Sequence, residues 1–146
     1  MKQQYFTLFK AYRGALYAFR ASVLRNRTYV CAARDQEGVD LLFRQNAIVF
    51  SREKIFSKDF DGLCSNTGRG QTEQILDILD REGGRDQRFL IVEDQIKAPT
   101  ELKELCSNME VIYASYGYGL ESDWIKAGLA NVREVVQPES LVYNIY

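Results

Sequence analysis

The 146-residue chain contains no histidine. That removes the imidazole base, the Ser-His and Cys-His nucleophile pairs and every His-bearing metal site. Any catalysis must use carboxylates, Lys, Arg, Tyr or a metal. Cysteine is scarce. Cys31, Cys64 and Cys106 contain no CxxC, and an odd, scattered set argues against a disulfide framework or a zinc site. Cys31 and Cys106 lie in apolar runs and are expected as core thiols. No apolar run approaches the ~20 residues of a membrane span. Lys10, Arg13 and Arg20 interrupt any signal-peptide core. These absences predict a cytoplasmic protein with no membrane association.

Acid is missing from the first 34 residues, which carry Lys2, Lys10, Arg13, Arg20, Arg25, Arg27 and Arg34. An Arg-rich, acid-free, aromatic-bearing N-terminus suits a nucleic-acid patch or a transit peptide. It equally suits a basic helix face balancing an acidic body, and that reading is preferred. The net charge of −1 offers no bulk attraction to nucleic acid or an acidic membrane. Tyr12, Leu16, Phe19 and Val23 recur at helical spacing and predict an inward stripe.

What the chain does contain is an alternation of helical and extended patterns. Helices are predicted at about 8–25, at Gln36–Arg44 with Val39, Leu42 and Phe43 inward, and at Gln71–Glu82, ended by Gly83-Gly84. A further helix begins near Pro99 and runs to about Ser107, and a short one is capped by Ser122 and ends at Gly128. Pro138 opens a terminal helix. Strands are predicted at Thr28–Ala33, Ala47–Phe50, Arg88–Val92, Glu110–Ala114 and Val132–Val136. Residues 51–70 read as a loop anchored by Phe56 and Phe60. This order implies one α/β domain over residues 1–146, three-layered and doubly wound around a mostly parallel sheet.

The most informative stretch is Arg88-Phe89-Leu90-Ile91-Val92-Glu93-Asp94. Four apolar residues predict a strand buried on both faces, and two carboxylates end it where open α/β sheets place ligands. Glu93 and Asp94 could hold one weakly bound Mg²⁺, a hard cation that prefers oxygen. They could equally cap the next loop. Tyr116-Gly117-Tyr118-Gly119 follows another strand, where Tyr116 and Tyr118 could wall a pocket; a plain turn explains them as well. Arg69, Gly70 and Gln71 open a helix and make a weak candidate for phosphate or another anion. They lack the Lys-Ser/Thr of a nucleotide P-loop.

Together these segments resemble the core of the haloacid dehalogenase (HAD) superfamily of phosphatases, over about residues 10–143. Gly14–Arg20 followed by Thr28–Ala33 is similar to that family's helix and second-motif strand. Phe89–Asp94 is similar to its fourth, acidic motif. Ser115–Gly119, Ala127–Ala130 and Gln137–Leu141 are similar to its closing section. The resemblance implies a HAD-like Rossmannoid fold, and it also marks departures. The family's Asp-x-Asp, nucleophile and general acid, is absent, since no Asp precedes Asp35. Tyr5–Phe9 would be a degenerate first strand, and its exit offers Phe9 and Lys10. Ala32 and Ala33 stand where Ser or Thr holds phosphate. Gln71 stands near the basic third motif, with Arg69 as a stand-in. Receiver domains also begin with such an acidic strand, but only 52 residues follow Asp94, too few for that fold.

The resemblance therefore implies a domain without a complete catalytic site, acting as a binding or interaction module. One alternative is a Mg-dependent phosphatase whose nucleophile segment is missing from this chain. The other is a nucleic-acid binder using the basic N-terminal helix. Expected partners are a protein or a second copy of the chain rather than nucleic acid.

Overall fold

The computed structural model describes residues 13–25, 27–32, 34–58, 60–61 and 70–145. It is mixed α/β, with small parallel sheets. Contacts divide the chain into two units, one containing Asn26–Ile75, the other Tyr12–Arg25 with Leu76–Tyr146. The predicted first strand at Tyr5–Phe9 lies outside the described residues, as do Tyr12 and Ala33.

In the first unit, β1 (Val30–Cys31) pairs in parallel with β2 (Ile55–Ser57), and β2 pairs antiparallel with β3 (Phe60–Asp61). Helix α1 (Arg13–Arg25) belongs to the second unit; α2 (Gln36–Gln45) is the helix of the first. The Asp35 carboxylate caps α2, accepting from Gly38 N–H at 2.8 Å. The predicted strand at Ala47–Phe50 does not form, because helix termination consumes its start. Ala47 takes a left-handed φ of 52°. Its N–H donates to Arg44 O at 3.2 Å, and Ile48 N–H donates to Phe43 O at 2.9 Å. That is a Schellman closure with alanine in the usual glycine place. The strand lies instead in the predicted loop, where Ile55, Phe56 and Ser57 are all buried. Cys31 is only half-buried, unlike the core thiol predicted, whereas Cys106 is buried.

In the second unit, β4 (Phe89–Glu93), β5 (Met109–Ala114) and β6 (Val132–Val135) form a parallel sheet in the order β4-β5-β6. Helix α3 (Gln71–Glu82) precedes it, ending at Gly83 with φ of 131°. The central strand is β5, whose Val111 and Ile112 are fully buried. Strand β4 is not buried on both faces. It lies at the edge of its sheet, and Val92 is 43 % exposed. Helix α4 (Lys97–Leu102) places Pro99 in its first turn but stops at Leu102, short of Ser107, where Leu105 and Cys106 N–H turn back onto Leu102 O. Helix α5 (Glu121–Ala127) starts after Leu120, so Ser122 is inside the helix and caps nothing. Pro138–Tyr143 is 3₁₀ rather than α.

Ala18 of α1 joins Ile112, Val135 and Leu141 in the core of this unit, with Ala15 packed alongside. The predicted stripe is therefore rotated. Ala18 is 1 % exposed, Leu16 and Phe19 are half-buried, and Val23 is 39 % exposed. Small side chains let α1 approach the terminal 3₁₀ turn closely, so size rather than hydrophobicity chose the inward face.

Candidate functional site

Parallel pairing brings the carboxyl ends of β4 and β5 side by side, with Glu93 opposite Tyr113. Glu93 and Asp94 leave β4 there, and Ser115–Gly119 leaves β5 there. Gly117 N–H donates to Ala114 O at 3.0 Å and closes a tight turn that folds back over Asp94. Tyr118 N–H donates to Asp94 Oδ2 at 2.8 Å. A Cβ on Gly117 would lie 2.5 Å from Asp94 Cβ. One on Gly119 would overlap the Asp94 carbonyl oxygen. Both glycines are needed for close approach, since any side chain would push the turn off the acid.

Asp94 is also held from its backbone. Trp124 Nε1–H of α5 donates to Asp94 O at 3.1 Å. The Trp124 ring stacks on Tyr113 of β5, centroids 4.4 Å apart. The Tyr113 hydroxyl donates to Gly119 O at 3.4 Å. Trp124 and Tyr113 were not among the predicted site residues. The available signal was that Trp124 is the chain's single tryptophan, set in a short helix after the Gly-Tyr turn.

The two carboxyls differ in environment. Glu93 Oε1 accepts from Asp94 N–H at 2.9 Å and Gln95 N–H at 3.1 Å. Burial nonetheless pushes the Glu93 carboxyl up to about 7, aided by its hydrogen bond to the Asp94 carboxyl. Burial also acts to raise Asp94, but the bond from Glu93 and the Tyr118 N–H outweigh it, leaving Asp94 below its ordinary value. The two carboxyls are coupled, with Glu93 raised and Asp94 lowered. Among the described residues no cation neutralises them. The ion pairs Arg52–Asp40, Arg85–Asp80, Arg88–Glu110 and Lys97–Glu101 include neither acid.

A cavity of about 230 Å³ opens at this edge. Glu93, Asp94 and Gly117 form its polar side; Val92, Ala114 and the two tyrosines line the rest. The predicted carboxylates and the predicted tyrosines are thus brought together. Tyr116 also packs on the core, whereas Tyr118 is 77 % exposed. A larger depression of about 500 Å³, lined by Arg85, Lys103 and Cys106 among others, lies where β4 and β5 begin. In parallel sheets ligand chemistry gathers at the opposite edge.

The acid pair offers a Mg²⁺ one free oxygen from each carboxyl, so any such ion would take most of its shell from water. That ion wants six oxygens in near-ideal octahedral order. Here one oxygen of each carboxyl already serves backbone N–H groups. Among the described residues no third Asp, Glu or Cys joins them. Of the weak anion candidate, Arg69 lies outside the described residues, and Gln71 Nε2 donates to Cys31 O at 3.3 Å. Among the described residues no helix is long and apolar enough to cross a membrane. No family model, curated protein or solved structure matches this chain.

Proposed function

We propose that the chain is a HAD-like domain, three-layered and doubly wound, that serves as a binding module rather than hydrolysing phosphate esters. One observation carries this reading. No Asp precedes Asp35, so the Asp-x-Asp that would supply nucleophile and general acid is absent, and covalent phosphoryl transfer of the HAD type has no attacking group. Ala32 and Ala33 stand where hydroxyls would hold phosphate. The acidic motif remains, and Glu93 and Asp94 line a cavity with two tyrosines. What remains is a small preformed cleft with an acidic floor and aromatic walls, the composition of a recognition site.

The test is hydrolysis of para-nitrophenyl phosphate with Mg²⁺ by the purified chain and by Asp94→Asn. The expected rate for both equals the buffer blank. Turnover that survives stringent purification and vanishes in Asp94→Asn overturns the non-catalytic reading.

A further inference from the structure

We propose that the Glu93–Asp94 cavity binds a guanidinium group, stacked on tyrosine and paired with the Asp94 carboxylate. The inference rests on the reading of that cavity as a binding site and names its ligand class.

Four observations converge. First, Asp94 and Glu93 face the cavity, and none of the ion pairs among the described residues involves them. Both acids are half-buried without a counter-ion, so a cation entering the cavity gains an attraction that a neutral guest does not. Second, the carboxyl is held in place. Tyr118 N–H fixes Oδ2, and Trp124 fixes the residue's own backbone through the Asp94 carbonyl. A fixed acceptor suits a planar, pre-organised donor, because little ordering remains to be done on binding. Third, the remaining wall is aromatic and apolar: Tyr116, Tyr118, Val92 and Ala114. Guanidinium is planar and weakly hydrated, stacking on rings while donating in plane to a carboxylate; a compact, strongly hydrated ammonium or metal ion does neither well. Fourth, Val92 and Tyr118 are 43 % and 77 % exposed, so the entrance is apolar and suits the methylene stem that carries such a head group.

The experiment follows backbone amide resonances of the full chain while methylguanidinium chloride is added at constant ionic strength. Methylammonium chloride and sodium chloride are added in parallel. The expected result is saturable movement of the Asp94, Gly117, Tyr118 and Gly119 amides with methylguanidinium and none comparable with the other two salts. Asp94→Asn should weaken binding on the order of tenfold, since the charge is lost while the new amide oxygen still accepts the Tyr118 N–H. Tyr118→Ala should weaken it roughly threefold to fivefold. Equal responses to all three cations, or unchanged affinity in Asp94→Asn, overturn the proposal. If Asp94→Asn does not fold, Tyr118→Ala decides, because its ring is largely exposed and unchanged affinity there overturns the proposal equally.

A second arm substitutes the amidated peptide Gly-Arg-Gly for methylguanidinium. Affinity at least tenfold higher supports an arginine side chain of a polypeptide as the natural occupant; equal affinity supports a small free guanidinium compound. Failure here is distinguishable from failure of the non-catalytic reading. A chain that hydrolyses ester yet binds guanidinium sinks only the latter, and an inert chain that binds no guanidinium sinks only this proposal.

Discussion

Ala47 shows how much one residue carries in this chain. Its left-handed φ of 52° is what lets α2 close with both terminal hydrogen bonds made. Alanine holds that conformation against its own Cβ, which costs about 1–2 kcal/mol. Glycine removes the clash but loses more backbone entropy on folding, so part of the gain is offset. Ala47→Gly should therefore stabilise the protein by about 0.5–1 kcal/mol. Urea denaturation checks this, and a midpoint that falls or does not move would show that the turn is not strained. Gly119 is the opposite case. It lies against the Asp94 carbonyl, where no side chain fits.

At the scale of elements, α1 is joined to its unit through small side chains. Ala18 is 1 % exposed against Ile112, Val135 and Leu141. Enlarging it forces the helix off the terminal 3₁₀ turn, so Ala18→Leu should cost about 1–3 kcal/mol. Val23 is 39 % exposed on the same helix, and Val23→Ala should stay within about 0.5 kcal/mol. Thermal melts of both variants test the pair. Equal losses, or a greater loss at Val23, would restore the stripe that helical spacing of large apolar residues predicts. Element α5 contributes differently. Its Trp124 spans from the Tyr113 ring to the Asp94 carbonyl, tying a surface helix to the sheet edge.

For the whole molecule, the acid pair makes stability depend on pH. Glu93 titrates near 7 when folded and at an ordinary 4.5 when unfolded. Between those values the folded state holds the extra proton. Glu93 therefore stabilises the fold on the acid side of this window, and that contribution is lost as pH rises through about 7. Asp94 has the opposite sign. Its lowered folded value contributes stability above its ordinary 3.8 and loses it on further acidification. Each tenfold difference in proton affinity is worth about 1.4 kcal/mol, so the Glu93 effect should be visible in a melt. The wild-type melting temperature should fall between about pH 5 and about pH 8. Glu93→Gln should flatten that decline. A flat wild-type profile, or an equal slope in the variant, would show that the Glu93 carboxyl is not raised in the folded state.

The sequence by itself determined the mixed α/β class, the positions of most helices and the three strands of the second sheet. Those segments carry either long periodic patterns or apolar runs bounded by Gly, Pro and acids, and such signals are local. It also identified Glu93, Asp94, Tyr116 and Tyr118 as candidates, because acids and a Gly-Tyr turn at strand ends are visible without coordinates. Tertiary structure alone decided which strand is central. The runs Leu90–Val92 and Val111–Tyr113 look alike in sequence, and pairing on both sides, not composition, buries β5. It decided that Ile55–Ser57 is a strand, since two apolar residues are too few to show a period and pairing with Val30 and Cys31 on one side and β3 on the other holds them there. It decided the inward face of α1, where close approach favoured Ala18 over larger neighbours. And it placed Trp124 at the site from 30 residues beyond Asp94, through a single N–H to a backbone carbonyl. No spacing rule reports such a bond, because its donor and acceptor are brought together by the packing of two strands and a helix.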